Sequence, residues 1–105
     1  MKPIFATAQE IAKQARRLSI KCYGKRLSGE QGMPRGFFLN FEMRGTNGTI
    51  FLYRRSLSYT IQRREDSRVV TETKNFSFPA KCLHDCALRV FGVLTERFHN
   101  YWGKQ

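Results

Sequence analysis

The sequence predicts an α+β fold: a small antiparallel meander of three to four strands, flanked by an N-terminal and a C-terminal helix packed on one face. Near both ends of the chain, apolar residues recur every three to four positions, which is the period of an amphipathic helix. Between those segments, apolar and polar residues alternate, as in strands with one buried face. With 105 residues, 41% of them apolar, the chain is expected to form a single domain spanning 1–105.

The first helix is predicted to begin at Thr7 and to end at about Ser19 or Cys22. Thr7 and Glu10 have the spacing of a capping box, in which two side chains satisfy free backbone amides of the first turn. One side of this helix is apolar and packs, and the other side is a basic stripe. The stripe is a candidate contact surface, with an ordinary solvated helix face as the alternative.

The segment from Gly24 to Gly36 contains four glycines and a proline and has no hydrophobic period. It is predicted to be a loop or mobile arm. Lys25, Arg26 and Arg35 make it cationic. Such an arm either wraps a phosphate backbone or is a plain connector.

Alternation of residues predicts the strands of the meander. They are Phe37–Arg44, Thr49–Arg55, Leu57–Arg64 and Arg68–Lys74. The Asn47-Gly48 pair is a strong β-hairpin signal and is expected to form the turn between the first two. In the third strand, Leu57, Tyr59 and Ile61 are expected to face the core, which leaves a polar and cationic face towards solvent.

The second helix is predicted from about Ala80 to Tyr101, with Ser77 as its N-cap. Its apolar stripe must lie on the apolar face of the sheet, because neither surface is stable alone. Gly92 is expected to permit close packing against a strand. The aromatic cluster at the end of the helix is expected to close the core, with stacking of bases as the alternative; its members are Phe98, Tyr101 and Trp102.

The chain is strongly basic, with 19 Lys and Arg against 8 Asp and Glu and a formal net charge of +11. An excess of this size opposes compaction through self-repulsion and is usually retained for a partner. Arg outnumbers Lys twelve to seven, and its planar fork of donors suits phosphates and guanine edges. These features predict a small, non-enzymatic nucleic-acid-binding protein that uses an Arg-rich face of the sheet.

Arginine pairs close two of the predicted strands, and the contact residues are expected around them. The candidates are Tyr53, Arg54, Arg55, Arg63, Arg64 and Arg68 of the sheet, Lys13, Arg16 and Arg17 of the first helix, and Lys25 and Arg26 of the arm. If four or five of the sheet arginines meet phosphates, binding to duplex DNA weakens with salt at a log–log slope of roughly −4. Replacing Arg63 and Arg64 with Ala then reduces the slope by up to ~2.

Part of this pattern resembles the AP2 and integrase-arm type of DNA-binding domain. The resemblance covers about 48–99. It is carried by Tyr53-Arg54-Arg55, by Ser58-Tyr59-Thr60-Ile61 and by Lys74-Asn75-Phe76 before the long helix. In that family a three-stranded sheet enters the major groove of DNA. The resemblance implies Arg54, Arg55, Arg63 and Arg68 as contacts to bases and phosphates, and DNA is expected ahead of RNA.

No cofactor or metal is expected. Three Cys and one His are the candidates for a zinc site, but the chain has no Cys-x2-Cys pair. On a helix, His84 projects about 160° round the axis from Cys82. Cys22, Cys82 and Cys86 are therefore expected to be reduced, metal-free and packed as small hydrophobic residues.

The sequence also lacks a Ser-His-Asp, paired-carboxylate or phosphate-loop pattern, and the protein is expected not to be an enzyme. One enzyme class stays open as an alternative: small ribosome-dependent RNA-cleaving toxins work with Arg, Lys and Tyr, for which Tyr53 and Tyr59 are candidates. A second alternative is a small phage or mobile-element-type inhibitor that binds an acidic surface of a protein partner, such as a nucleic-acid enzyme. Phe38 and Met33 are the candidates for the exposed apolar patch that a protein partner needs.

The odd number of cysteines, three, argues against a secreted disulfide framework. The first residues have no apolar core of a signal peptide. No apolar run approaches the ~18 residues that span a membrane. A cytoplasmic location, in the producing cell or in a host cell, is therefore expected, with no membrane partner.

Overall fold

The computed structural model describes residues 4–27, 35–43 and 45–102. These residues form two α-helices, five strands and one short 3-10 turn. In chain order the elements are α1 (Ile4–Arg17), β1 (Lys21–Leu27), β2 (Gly36–Met43), β3 (Thr46–Tyr53), β4 (Ser56–Glu65), β5 (Arg68–Ser77), the 3-10 turn Ala80–Cys82 and α2 (Leu83–Trp102). The predicted α+β fold is confirmed, but the sheet has five strands rather than three to four.

The strands form one antiparallel sheet in the order β1-β2-β3-β4-β5, so each strand pairs with its neighbours in sequence. Both helices pack on the same side of this sheet, and their apolar residues join those of alternate strand positions in one core. We call this side the covered face and the opposite side the outer face. No described element covers the outer face.

The core lies between the covered face and the two helices. Its strand residues are Leu39, Phe41, Ile50, Leu52, Leu57, Tyr59 and Ile61, and none of them is more than 1% exposed. The helices contribute Ala8, Ile11 and Ala15 from α1 and Leu83, Ala87, Val90, Phe91 and Leu94 from α2. Full burial of a large apolar side chain stabilises a fold by about 1.5–3 kcal/mol, so this layer holds the sheet and the helices together.

The additional strand is β1, which the sequence assigned partly to the first helix and partly to the Gly24–Gly36 loop. The helix ends earlier than predicted because Ser19 takes a positive φ of 61° and reverses the chain. Gly24 then lies inside the strand instead of in a loop. A Cβ there would lie 2.6 Å from Cε1 of Phe37, so this glycine allows a close approach between two strands.

The predicted capping box at the start of α1 is wrong. The helix begins at Ile4, and Thr7 lies inside it with no exposed surface. The Thr7 hydroxyl shares a hydrogen bond of 3.0 Å with Nδ1 of His84 on α2. A contact between the helices thus uses the side chain that the sequence assigned to local capping.

The first predicted hairpin turn is also misplaced. Asn47 and Gly48 lie within β3, and the chain reverses before them, where Gly45 has a positive φ of 65°. Strand pairing continues through Asn47 and Gly48 to Thr46. The two longest strands, β4 and β5, are joined at Asp66, which also takes a positive φ of 57°.

The entry into α2 differs from the prediction as well. Ser77 ends β5, and a 3-10 turn follows Pro79 without a side-chain cap.

Gly92 is exposed, and no atom lies within 4 Å of the position that a Cβ would take there, so it does not mediate packing against a strand. The predicted cluster of Phe98, Tyr101 and Trp102 falls on side chains outside the described part of the structure. Neither described helix has a stretch apolar and long enough to span a membrane.

Candidate nucleic-acid interface

The outer face presents three adjacent rows of side chains across the five strands. The strand register defines them as Lys25-Phe38-Phe51-Ser58-Asn75, Tyr23-Asn40-Thr49-Thr60-Thr73 and Lys21-Glu42-Asn47-Gln62-Thr71. These rows contain aromatic, amide, hydroxyl and Lys side chains and one acid, Glu42, but no Leu, Ile or Val. This composition differs sharply from that of the covered face and gives the surface many hydrogen-bonding groups beside flat rings.

Two phenylalanines form the aromatic centre of the outer face. Phe38 and Phe51 are direct cross-strand partners, with ring centroids 5.1 Å apart and planes tilted by 58°. Both rings are half-buried. They border an open depression of about 260 Å³, which is also lined by Asn47, Thr49, Thr60 and Gln62. One side of the depression is therefore aromatic and the rest is polar.

Two amide side chains on this face carry a buried oxygen without a protein partner. Oδ1 of Asn40 and Oδ1 of Asn47 receive no hydrogen bond from any residue that the structure describes. Asn40 is only 6% exposed although it lies on the face that no described element covers. A buried polar group without a hydrogen bond lowers the stability of the fold by about 1–3 kcal/mol. These two amide oxygens are therefore costly to the protein as they stand, and they lie on the same surface as the two phenylalanine rings.

At one end of the sheet, several exposed cations lie around the β3–β4 turn. Arg54 and Arg55 form this turn between the paired residues Leu52 and Leu57. The backbone amide of Phe78 donates to the Arg55 carbonyl at 3.0 Å and brings the start of α2 to the same end. We call this the cationic end; its exposed cations are Lys25, Arg26, Arg35, Arg54, Arg55 and Lys81.

Acidic residues are sparse at the cationic end. Of the described acids, only Asp85, in the first turn of α2, lies there, whereas Glu10 lies midway along α1. The remaining described acids lie towards the other end of the sheet or of α2: Glu42, Glu65, Asp66, Glu72 and Glu96. The positive potential is therefore concentrated at the cationic end, two residues along β3 from Phe51.

The other predicted arginines lie at the opposite end, around the β4–β5 turn. Strand alternation places Arg64 on the outer face, but Arg63 and Arg68 on the side of the helices. Arg63 also forms an ion pair of 3.0 Å with Glu65. Nine residues of extended chain separate Arg55 from Arg64, which corresponds to roughly 30 Å. The predicted sheet arginines thus form two separate groups rather than one patch.

The remaining predicted contact residues are divided between the two sides of the sheet. Tyr53 lies on the outer face next to the β3–β4 turn, and Lys25 lies in the same row as the phenylalanine pair. Arg26 points to the covered side, where its guanidinium lies 4.8 Å from the centre of the Phe5 ring. The α1 cations are exposed but belong to the helix layer; they are Lys13, Arg16 and Arg17.

Among the described residues, the candidates for metal binding do not form a group of three or more ligands. Cys22 lies on β1, Cys82 in the 3-10 turn and Cys86 on α2, and all three are free thiols. Burial raises the pKa of the Cys22 thiol, and the charge of Arg16 lowers it in part. This thiol is therefore protonated at neutral pH. Tyr59, a candidate for toxin-like chemistry, is fully buried in the core and out of reach of a substrate.

Sequence reasoning missed the central residues of the outer face. It suggests Phe38 only as part of an apolar patch, and Phe51 only as a strand residue. A signal is present, because Phe38 falls out of phase with the buried Leu39 and Phe41 in the alternation of β2. What the sequence does not reveal is the register that sets Phe38 against Phe51 and Asn40 against Thr49.

Comparisons with protein-family models, with curated proteins and with solved structures return no match.

Proposed function

We propose that this protein is a small, non-enzymatic nucleic-acid-binding protein, with DNA expected ahead of RNA. The observation that carries the proposal is the cationic end of the sheet beside an uncovered face of aromatic and amide side chains. Arg and Lys neutralise phosphates, and aromatic rings and amides contact bases. A net charge of +11 supplies the long-range attraction that draws a polyanion to the surface.

The separation of the cations favours a polymer over a small anion. Arg54 and Arg55 lie roughly 30 Å along β4 from Arg64. Groups so far apart cannot converge on one small anion, but a chain of phosphates can contact both. The cations at the cationic end are the main phosphate contacts in this proposal, because fewer acids offset them there.

Two arginine pairs in the same sheet provide a matched test. The double variant Arg54→Ala/Arg55→Ala removes two exposed cations at the cationic end. The double variant Arg63→Ala/Arg64→Ala removes two cations at the opposite end, where Arg63 already forms an ion pair with Glu65. We expect the first pair to reduce the log–log salt slope of DNA binding by up to ~2 and the second pair by roughly 1. The measurement is fluorescence anisotropy with labelled single-stranded and duplex DNA between about 50 and 200 mM salt.

Exposed charges contribute little to stability, so both variants are expected to unfold at the same urea concentration as the unchanged protein. The proposal is wrong if the purified protein binds neither DNA nor RNA at about 50 mM salt, where electrostatic contacts are strong. Equal salt slopes for the unchanged protein and the Arg54→Ala/Arg55→Ala variant would remove the cationic end from the interface.

An apolar groove favours the alternative of a protein-binding inhibitor. The groove lies between the end of β5 and α2, has a volume of about 250 Å³ and is lined by Phe76, Phe78, Cys86, Arg89, Val90 and Val93. Val93 beside it is 44% exposed. The sequence candidates for this patch do not form it: Phe38 lies on the outer face, and Met33 is outside the described residues.

Nuclease treatment separates the two functions. A protein partner remains bound when a lysate is digested with nuclease before capture, whereas a partner held through nucleic acid is lost. Val93→Asp, which places a charge in the groove, is expected to leave DNA affinity unchanged. Two results together would favour the inhibitor function over the proposed one. The unchanged protein would bind no DNA, and Val93→Asp would abolish capture of a partner that remains bound after nuclease treatment.

A further inference from the structure

We infer that the outer face binds single-stranded DNA by stacking unpaired bases against Phe38 and Phe51, with the neighbouring amides contacting base edges. This inference rests on the proposed nucleic-acid function and specifies its ligand and its site. It concerns residues that the charge pattern of the sequence does not identify.

The first support is the geometry of the aromatic pair. The two rings are half-buried at the border of an open depression of about 260 Å³. Pockets for free drug-sized ligands are larger, roughly 300–1,000 Å³, and more enclosed. A shallow site of this size suits a flat ring that is held in place by a longer chain. In duplex DNA the base faces are stacked inside the helix, so only an unpaired base can present its face to these rings.

The second support is the polar floor next to the rings. Asn47 and Gln62 are cross-strand partners, and Thr49 and Thr60 are partners in the adjacent row. Oδ1 of Asn47 borders the depression without a hydrogen bond from any described residue. An Asn or Gln amide both donates and accepts, which matches the edges of unpaired bases. A ligand base would satisfy the oxygen that the protein leaves without a partner.

The third support is charge complementarity around the depression. On the described outer face, Lys25 shares the row of the phenylalanine pair, Lys21 lies two rows away and Arg64 lies beyond it. Glu42 is the acid among the three rows. The cationic end continues the positive surface past Tyr53. Aromatic groups in the middle with cations along the border are the arrangement that lets bases stack while the backbone follows the charges.

The strand composition argues against a protein as the occupant of this face. A docking partner of apolar character needs an apolar patch, and the three rows contain no aliphatic Leu, Ile or Val. On the outer face, the exposed aliphatic Val69 pairs with Arg64 near the β4–β5 turn, away from the phenylalanine pair, and an apolar groove lies on the other side of the sheet, between β5 and α2. The two surfaces can therefore be tested independently.

The test measures the affinity of the full chain for three fluorescein-labelled probes at one salt concentration. The probes are a 20-mer of thymidine, a 20-base-pair DNA duplex and a 20-mer of uridine. We expect the thymidine 20-mer to bind most tightly. We expect Phe51→Ala to weaken its binding by about 5- to 150-fold, the range for loss of one base–aromatic stack, and Phe51→Trp to retain it.

The control is Val93→Ala, which truncates an apolar side chain that is 44% exposed on α2, on the other side of the sheet. It is expected to leave the affinity for the thymidine 20-mer unchanged. Phe51→Ala is also expected to leave the salt slope unchanged, because it removes no cation. A loss of affinity that came from a change in phosphate contacts would alter the slope instead.

A second measurement uses the unsubstituted protein. Ultraviolet crosslinking to an oligonucleotide that contains 5-bromodeoxyuridine, followed by peptide mapping, is expected to mark the peptides with Phe38 or Phe51. Crosslinks confined to peptides outside β2, β3 and β4 would overturn the inference. So would duplex binding as tight as single-strand binding, or an unchanged affinity in Phe51→Ala. Tighter binding of the uridine 20-mer would overturn the assignment to DNA. Absence of binding to all three probes would instead contradict the proposed function itself.

Discussion

The two faces of the sheet are made by the same strands and differ in almost every physical property. On the covered face, the core residues of β2, β3 and β4, from Leu39 to Ile61, are at most 1% exposed. Their sequence neighbours on the outer face are mainly amides, hydroxyls and half-buried aromatic rings. Because successive side chains point to opposite faces, a single strand can contribute to stability with one set of residues and to recognition with the other. The comparison predicts that substitutions one position apart have very different effects.

The largest effect is expected in the core. Phe41 lies on the covered face and contacts Phe91 of α2, with ring centroids 5.5 Å apart. Phe41→Ala leaves a cavity and is expected to lower the free energy of unfolding by about 3–5 kcal/mol. Phe51→Ala, on the outer face, is expected to lower it by only about 1 kcal/mol, since its ring is half-buried in the native state. Urea denaturation of both variants measures the difference; equal losses would contradict the division of roles between the faces.

Gly36 lies on the outer face, but unlike its neighbours there it is expected not to tolerate substitution. A Cβ at Gly36 would lie 2.5 Å from the backbone oxygen of Leu52 and 2.6 Å from Cδ1 of Tyr53. Since a backbone atom cannot rotate away, Gly36→Ala is expected to lower the free energy of unfolding by about 1–3 kcal/mol. Thermal and urea unfolding measure this loss. An unchanged stability would mean that the edge of β2 shifts freely from β3.

A smaller effect is expected at the hydrogen bond between the helices. Thr7→Val keeps the shape of the side chain but removes the hydroxyl that meets Nδ1 of His84. The net value of one such bond is about 0.5–1.5 kcal/mol, and the variant is expected to lose that much stability. Thr7→Ser retains the hydroxyl and serves as the control. If Thr7→Val loses no stability while Thr7→Ser does, packing of the methyl group, rather than the hydrogen bond, holds the helices together at this point.

The smallest effect is expected on the solvent side of α2. Gly92 is exposed, and nothing lies within 4 Å of a Cβ built there. Gly92→Ala therefore raises helix propensity without a clash and is expected to stabilise the protein by up to about 1 kcal/mol. DNA affinity is expected to stay constant. A loss of stability in urea would show that another part of the chain packs against this position.

Much of the architecture could be predicted from short-range patterns. The alternation of β4 put Leu57, Tyr59 and Ile61 in the core, and all three are buried. The helical stripe from Leu83 to Leu94 is likewise buried against the sheet. These predictions succeed because a residue's burial on an amphipathic element follows from the period of that element.

The errors occur where a tertiary contact determines a local choice. Gly24 looked like a loop residue, but it is a strand residue that makes room for the Phe37 ring. Thr7 looked like a cap, but its hydroxyl meets His84, 77 positions away in the chain. Asn47-Gly48 looked like a turn, but Gly45 takes the left-handed conformation and the pair continues β3. In each case local sequence allows more than one structure, and packing selects among them.

The candidate site shows the same division. The sequence by itself determined the net charge, the arginine pairs and the alternation that gives each strand two different faces, because these depend on residue identity and near neighbours alone. Only the tertiary structure decided which cations lie together. It separated Arg54 and Arg55 from Arg64 by the length of β4, and it set Phe38 beside Phe51 through the register of β2 and β3. Register joins residues that are distant in the chain, so no local pattern specifies it.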